Sequence, residues 1–340
     1  MKQTTLMAAT AVLCLGQALA APIVTHPAGN VTELASSGGT FTTYNGLAKS
    51  GNSLYFGNEA EVRSYDLGAG TESVFSTIGA AADNTAMAVV GSDLFMARTL
   101  SFSSPFPSNL GVVDGSGFTA TLSSGALVGE TTYAIYDAAT LGSDYYFVAN
   151  VGSVSNASPL SGATSGTRIL RYDAGNPGSP IEIVNVGGYS GGLTFDAAGN
   201  LYYASQSGDG VLKFDAADVA LGNLTAADGT TVVNVTAGSL DFLSTGELVA
   251  GTGFGQSLDG YDVLTGAKTL SIATTSGAEY MGKFVVGEDD TIYVTSTDYG
   301  PYASSLSAIA IPEPGTVTLM MFGFAGMLFA RRKRHYFLKR

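Results

Sequence analysis

The chemistry open to this chain is limited first by what it lacks. Two histidines occur in 340 residues, His26 and His335, and the one cysteine is Cys14. A nucleophile needs a base beside it, and zinc sites draw on His and Cys; a body this poor in both offers neither. No glycine-rich loop ends in Lys-Ser or Lys-Thr, so there is no phosphate cradle of that kind. Carboxylate chemistry remains. Acidic residues gather at Glu59 and Glu61, at Asp173, Asp196, Asp209 and Asp215, and in "GEDD" with Glu288, Asp289 and Asp290. Paired carboxylates can serve as acid and base, and the oxygens of "DAAGN" from Asp196 and "SGDG" around Gly208 can ligate calcium. Calcium is therefore the one cofactor the sequence leaves room for, without fixing its ligands. Most of these aspartates also sit in Gly/Asn-rich bends, where the side chain caps the turn. Turn chemistry is the leading reading for each, and no residue is assigned a catalytic role.

The elements that would position these residues form a loose repeat. A Gly, Asn or Asp turn followed by an apolar, alternating strand occurs as "GNSLYFGN" at Gly51, "GSDLFMAR" at Gly91, "GSDYYFVAN" at Gly142, "GNLYYASQ" at Gly199, "GELVAGTG" at Gly246 and "DDTIYVTS" at Asp289. The copies lie 40 to 56 residues apart. After most of them comes a second strand ending in an aspartate turn, such as "VRSYDLGAG" or "VLKFDAAD", and then a third, such as "TESVFSTI" or "KTLSIAT". An inner strand such as "NTAMAVV" or "MGKFVVG" precedes most copies. Period-2 alternation with β-branched and aromatic residues marks strands. Four short antiparallel strands per copy is the pattern of a propeller blade.

Six copies predict an all-β, six-bladed β-propeller, with a β-sandwich or solenoid as the alternative. The last copy lacks its outer strand, and "NVTELASS" near the start supplies one. Residues Val31 to Ala35 are therefore expected to complete the last blade and hide its edge. Two insertions, Ser101 to Asn109 and Val151 to Thr167, read as long loops on one rim. The stretch from Tyr189 to Asp215, "YSGGLTFDAAGNLYYASQSGDGVLKFD", resembles the repeat unit of NHL and gluconolactonase-like propellers. That likeness covers about one blade well; it implies a fold and carries no activity.

Both ends read as sorting segments. Residues 1–20 have the three parts of a secretory signal: Lys2, an apolar run from Leu6 to Leu15, and Ala18-Leu19-Ala20 before a cut near Ala21. Cys14 lies inside it, so the exported part has no thiol. The body, residues 21–311, holds eight Lys/Arg against 27 Asp/Glu, a net of −19. Such a charge repels nucleic acid and anionic membrane and attracts cations. Behind it, Pro312-Glu313-Pro314 precedes 15 apolar or small residues, Thr316 to Ala330, and then Arg331, Arg332, Lys333 and Arg334. Two prolines keep the strip around Glu313 extended, and the basic block stops transfer and stays cytoplasmic.

This three-part tail resembles the PEP-CTERM sorting signal, covering residues 312–334; residues 335–340 form a cytoplasmic extension. The resemblance implies a Gram-negative host, a short transmembrane helix, insertion in the inner membrane during sorting, and an exosortase that cuts near the motif. It also implies a cell-surface or extracellular destination among exopolysaccharide or biofilm matrix. The expectation is a non-catalytic surface protein. The alternative is a carboxylate-based hydrolase or calcium-dependent lactonase on the same scaffold.

Overall fold

The structure is a computed structural model. It describes residues 24–25, 30–37, 44–57, 60–79, 83–100, 108–122, 132–151, 166–173, 180–206, 208, 210–251, 256–275, 279–298 and 303–311. The expected secretory signal with Ala18, Ala20 and Ala21, the motif Pro312-Glu313-Pro314, the apolar stretch and the basic block all fall outside these residues. No helix among the described residues is long and apolar enough to cross a membrane.

After β1 (Val31–Ser36), the chain lays down six sheets in order. Blade one is β2 (Gly46–Ser50), β3 (Ser53–Gly57), β4 (Glu61–Asp66) and β5 (Thr71–Thr77). Blade two is β6 (Asp83–Val90), β7 (Asp93–Thr99), β8 (Ser108–Asp114) and β9 (Gly117–Leu122). Blade three is β10 (Thr132–Leu141), β11 (Asp144–Val151), β12 (Gly166–Tyr172) and β13 (Ile181–Val186). Blade four is β14 (Leu193–Phe195), β15 (Leu201–Ala204), β16 (Val211–Phe214) and β18 (Thr230–Val233). Between its last two strands the chain inserts helix α1 (Ala216–Leu221) and β17 (Leu224–Thr225). Strand β17 runs parallel to β13 and covers the edge of blade three. Blade five is β19 (Ser239–Phe242), β20 (Leu248–Gly251), β21 (Ser257–Tyr261) and β22 (Lys268–Thr274). Blade six is β23 (Glu279–Val286), β24 (Ile292–Asp298) and β25 (Ala303–Ile309), with β1 as its outer strand.

The expected closure is present. Val31 pairs with Ile309 and Ser36 with Ser305, with an irregularity between Glu33 and Ala35. Both insertions end, and the second also begins, slightly inside the expected limits, while the first begins one residue earlier, at Leu100 after β7. Ser108 and Asn109 belong to β8, Val151 to β11, and Gly166 and Thr167 to β12.

The turns follow from residue type. Gly51 and Gly142 take positive φ of 52° and 60° between the first and second strands, which glycine adopts without steric cost. Asp290 takes φ 59° in the matching turn of blade six. Turn aspartates hold the bends: Asp66 Oδ1 accepts the Gly68 and Ala69 N–H groups at 2.8 and 2.9 Å, and Asp262 Oδ1 accepts Leu264 N–H at 2.8 Å.

The hydrophobic core is divided among the blade interfaces. Each of six apolar clusters joins one pair of neighbouring blades, from Met87 and Val62 between blades one and two to Leu306 and Leu54 between six and one. The second strands, expected to alternate, are instead buried on both faces: β15, β20 and all of β24 but its last residue lie inside. A strand sandwiched between two sheets reads as a continuous apolar run. Outer strands such as β5 stay largely exposed.

Within every blade neighbouring strands are antiparallel, so first and third strands run one way and second and fourth the other. The six inner strands surround the axis and end on one face, called here the hairpin face. The third-to-fourth turns share it. The second-to-third connections and the crossovers between blades leave from the opposite face.

Candidate functional site

The axis of the ring holds a cavity of about 280 Å³ lined by all six inner strands. Its chemistry comes from Lys49 on β2, Asp137 and Thr140 on β10, Thr194 on β14, Ser239 and Asp241 on β19, and Lys283 on β23. The rest of the wall is small or apolar, including Ala48, Ala88, Ala138 and Leu240.

Lys283 and Asp137 stand on blades six and three, directly opposite across the axis. Lys283 Nζ lies 2.8 Å from Asp137 Oδ1, so the pair forms a crossbar through the channel. Each end is tied further. Lys283 Nζ donates to the carbonyl oxygen of Gly238 on the approach to blade five at 2.8 Å and sits 5.4 Å from the centre of the Tyr136 ring. Asp137 Oδ2 accepts the Leu193 N–H of blade four at 2.9 Å. The base of Lys283 is held as well: its N–H donates to Thr295 Oγ1 at 3.0 Å, and that hydroxyl donates back to the Lys283 carbonyl at 3.1 Å. Asp137 and Lys283 are 6 and 8% exposed. Burial pushes the Asp137 carboxyl above the usual range, against the pull of the Lys283 ammonium and the Leu193 N–H.

Asp241 lies beyond the crossbar, toward the hairpin face. Its Oδ2 accepts Val286 N–H of blade six and its Oδ1 accepts Phe242 N–H, both at 2.8 Å. Its residual exposure is to the channel, and desolvation there pushes its pKa up to about 6, with the charge of Asp137 adding to the rise.

The acidic residues singled out in the sequence are elsewhere. Asp196 Oδ1 accepts the N–H groups of Ala198 and Asn200, both at 2.9 Å, and its Oδ2 accepts Asn200 Nδ2 and the Tyr202 hydroxyl. Those bonds outweigh desolvation and hold its carboxyl below the usual range. Asp215 pairs with Lys213 at 3.0 Å, and Glu61 with Arg63 at 3.1 Å. Asp289 braces its own turn through Thr291, while Asp290 accepts the N–H and hydroxyl of Ser244, linking the hairpins of blades six and five. Glu59 and Asp209 fall outside the described residues. The described carboxylates belong to blades one, three, four and six and do not converge. The sequence reading missed Asp137, Asp241 and Lys283, whose signal is a charge inside an otherwise apolar inner strand: "AIYDAATL", "SLDF" and "MGKFVV".

The channel can bind charge, but its donors do not suit a resident calcium ion. Calcium takes six to eight oxygens. Here one carboxylate faces an ammonium and the other accepts two backbone N–H groups. Among the described residues no three His, Cys, Asp or Glu come together to hold a metal.

Comparison with known proteins separates the tail from the body. Residues 310–334 match the PEP-CTERM protein-sorting motif. No curated protein matches the chain. Among solved structures, a luciferin-regenerating enzyme is similar with a TM-score of 0.57 at 14% identity, over 83% of this chain and 95% of that one. A gluconolactonase from Xanthomonas campestris gives 0.55 at 14%, over 85 and 94%. Regucalcin from Agrobacterium tumefaciens, a calcium-binding protein, gives 0.54 at 13%, over 81 and 95%. At such identities the likeness shows the fold alone.

Proposed function

From a six-bladed propeller that carries a PEP-CTERM sorting motif, we propose an exported protein that an exosortase processes and releases to the cell surface or matrix. There it works without catalysis, among extracellular polysaccharide. The observation that carries this reading is the junction of the two parts: the matched motif at residues 310–334 begins directly after the last strand of a closed propeller. The chain is made on this reading as a precursor with a removable segment at each end, anchored in the inner membrane by residues 316–330 until the cut.

The channel supports the non-catalytic choice. Its best-placed acid, Asp137, is committed to Lys283, and Asp241 is satisfied by backbone N–H groups. A general acid or base needs a free path to a substrate proton. Calcium enters this reading as a bridge between the acidic surface and acidic sugars, with no place in the channel.

The first test is the intact mass and location of the protein in its host, with and without the exosortase. The expected wild-type product lacks both the first ~20 residues and the tail from near Pro312, while the uncut form accumulates in the membrane of the deficient strain. A tail retained in wild type would overturn the sorting reading. Calcium-dependent retention of the processed protein on host matrix then tests the polysaccharide partner; equal lack of retention with and without calcium would count against it. The enzymatic alternative predicts turnover of a glycoside or lactone that is lost in Asp137→Asn or Asp241→Asn.

A further inference from the structure

The last strand fixes where the tail leaves the body. Strand β25 is antiparallel to β24 and therefore runs in the direction of the inner strand β23. Its end lies on the hairpin face, together with the beginning of β1. There Val31 pairs with Ile309, and Ala310 N–H donates to the Asn30 carbonyl at 3.2 Å. Ile309 is fully buried, and Ile311 packs against the cluster that contains Val24, Ile292 and Ile309. The body thus holds the chain up to the residue before Pro312. Five residue steps separate Ile311 from Thr316, where the apolar stretch starts. Even fully extended, they reach at most ~18 Å.

We infer that, until the tail is cut, the hairpin face of the propeller is held against the membrane surface. The opposite face, from which the connections 100–107 and 152–165 leave, points away. This orientation rests on the anchor reading above and adds the partner of one particular face.

The charge of that face decides what happens after the cut. Turn aspartates crowd it: Asp66, Asp114, Asp196, Asp262 and Asp289, each accepting backbone N–H groups of its own turn. Of the nearby bases, Arg171 pairs with Asp144, Lys213 with Asp215 and Lys268 with Asp259, and Lys49, at the channel mouth, is outnumbered by these carboxylates and lends its charge to Asp289. Anionic lipid repels such a surface. The covalent tail is then the only hold, and cleavage lets the protein leave. The cut itself falls at or beyond Pro312, because the backbone before it is paired or packed and gives a protease no extended strip.

Single cysteines test the orientation, since the exported chain has none of its own. Ser92→Cys and Ser143→Cys place a thiol on exposed hairpin-face turns, and Leu100→Cys and Tyr189→Cys place one on the exposed opposite face. Uncut protein from an exosortase-deficient host is labelled with a fluorophore and reconstituted in liposomes whose headgroups carry a nitroxide quencher. The expected result is severalfold stronger quenching at positions 92 and 143 than at 100 and 189. Equal or reversed quenching in liposomes that do float with the protein overturns the orientation alone. Failure of the uncut protein to float overturns the anchor reading, and the orientation with it. The processed protein is expected not to float with anionic liposomes; if it does, the release argument falls.

Discussion

Lys283 crosses the axis to a carboxylate three blades away, and the value of that contact lies in what its loss would expose. A buried ion pair adds little net stability over an apolar pair of the same size, yet removing one partner strands the other charge. Lys283→Met is expected to cost about 3–5 kcal/mol in denaturant unfolding. The double variant Lys283→Met with Asp137→Leu is expected to recover most of it. If the double change is as costly as the sum of the two single changes, the crossbar is not acting as a pair. Asp241 makes a separate prediction. Its folded-state pKa, about 6, lies above the unfolded value, so the folded protein holds that proton more tightly. This contributes stability that is fully present below about pH 4 and is lost as pH rises through about 6, on the order of 2–3 kcal/mol. The turn aspartates 114, 196, 262 and 289 shift the other way and titrate below that window. Comparing unfolding free energies between pH 4 and 7, Asp241→Asn is expected to remove this part of the slope, whatever constant offset its lost hydrogen bond adds.

At the scale of the element, the blades depend on close strand contact where glycine stands. A Cβ added at Gly111 in β8 would lie 2.2 Å from the Thr119 carbonyl oxygen and 2.9 Å from Ala120 Cα, both backbone of β9. Gly111→Ala is expected to pry β8 from β9 at a cost of about 3 kcal/mol or more. Gly115→Ala, in the turn between the same strands and with open space around it, should be within ~0.5 kcal/mol of neutral. Thermal unfolding of the two variants distinguishes a packing effect from a general intolerance of blade two. Turn positions of this kind explain why so much of the fold was legible in the sequence. Blade number, strand order and the closing role of Val31 to Ala35 follow from local signals, a bend residue and a run of β-formers. Helix α1 and β17 were not legible, because "AADVALGNLT" follows the aspartate turn without an apolar periodicity of its own, and only its docking on blade three orders it. The channel was missed for a related reason. Asp137 and Lys283 become partners through ring closure, and nothing near either residue in the chain announces the other.

For the whole molecule, stability rests on joining the two ends of one sheet. Thr32 on β1 faces Ala308 on β25. Thr32→Cys with Ala308→Cys would place a disulfide across that seam, with no competing thiol in residues 21–340. Opposed residues of an antiparallel pair lie within bridging distance. The closed loop is far longer than 100 residues, so oxidation is expected to raise the unfolding free energy by roughly 4–5 kcal/mol. A midpoint unchanged between the oxidised and reduced forms would mean that the seam opens after the rest of the ring.

The same seam sets an order of events. The strand that completes blade six is the first to be made, and its partner β25 is the last before the sorting tail. During synthesis β1 must wait with both edges unsatisfied until nearly the whole chain has followed it. Long-range pairing of this kind is slow, and the waiting chain is open to proteases and to wrong partners. A chain interrupted anywhere upstream would therefore have neither a closed ring nor an address. The last strand of the ring ends at Ile309 and the matched sorting motif begins at residue 310, so on the proposed reading a chain that carries the motif has already made every strand of the ring.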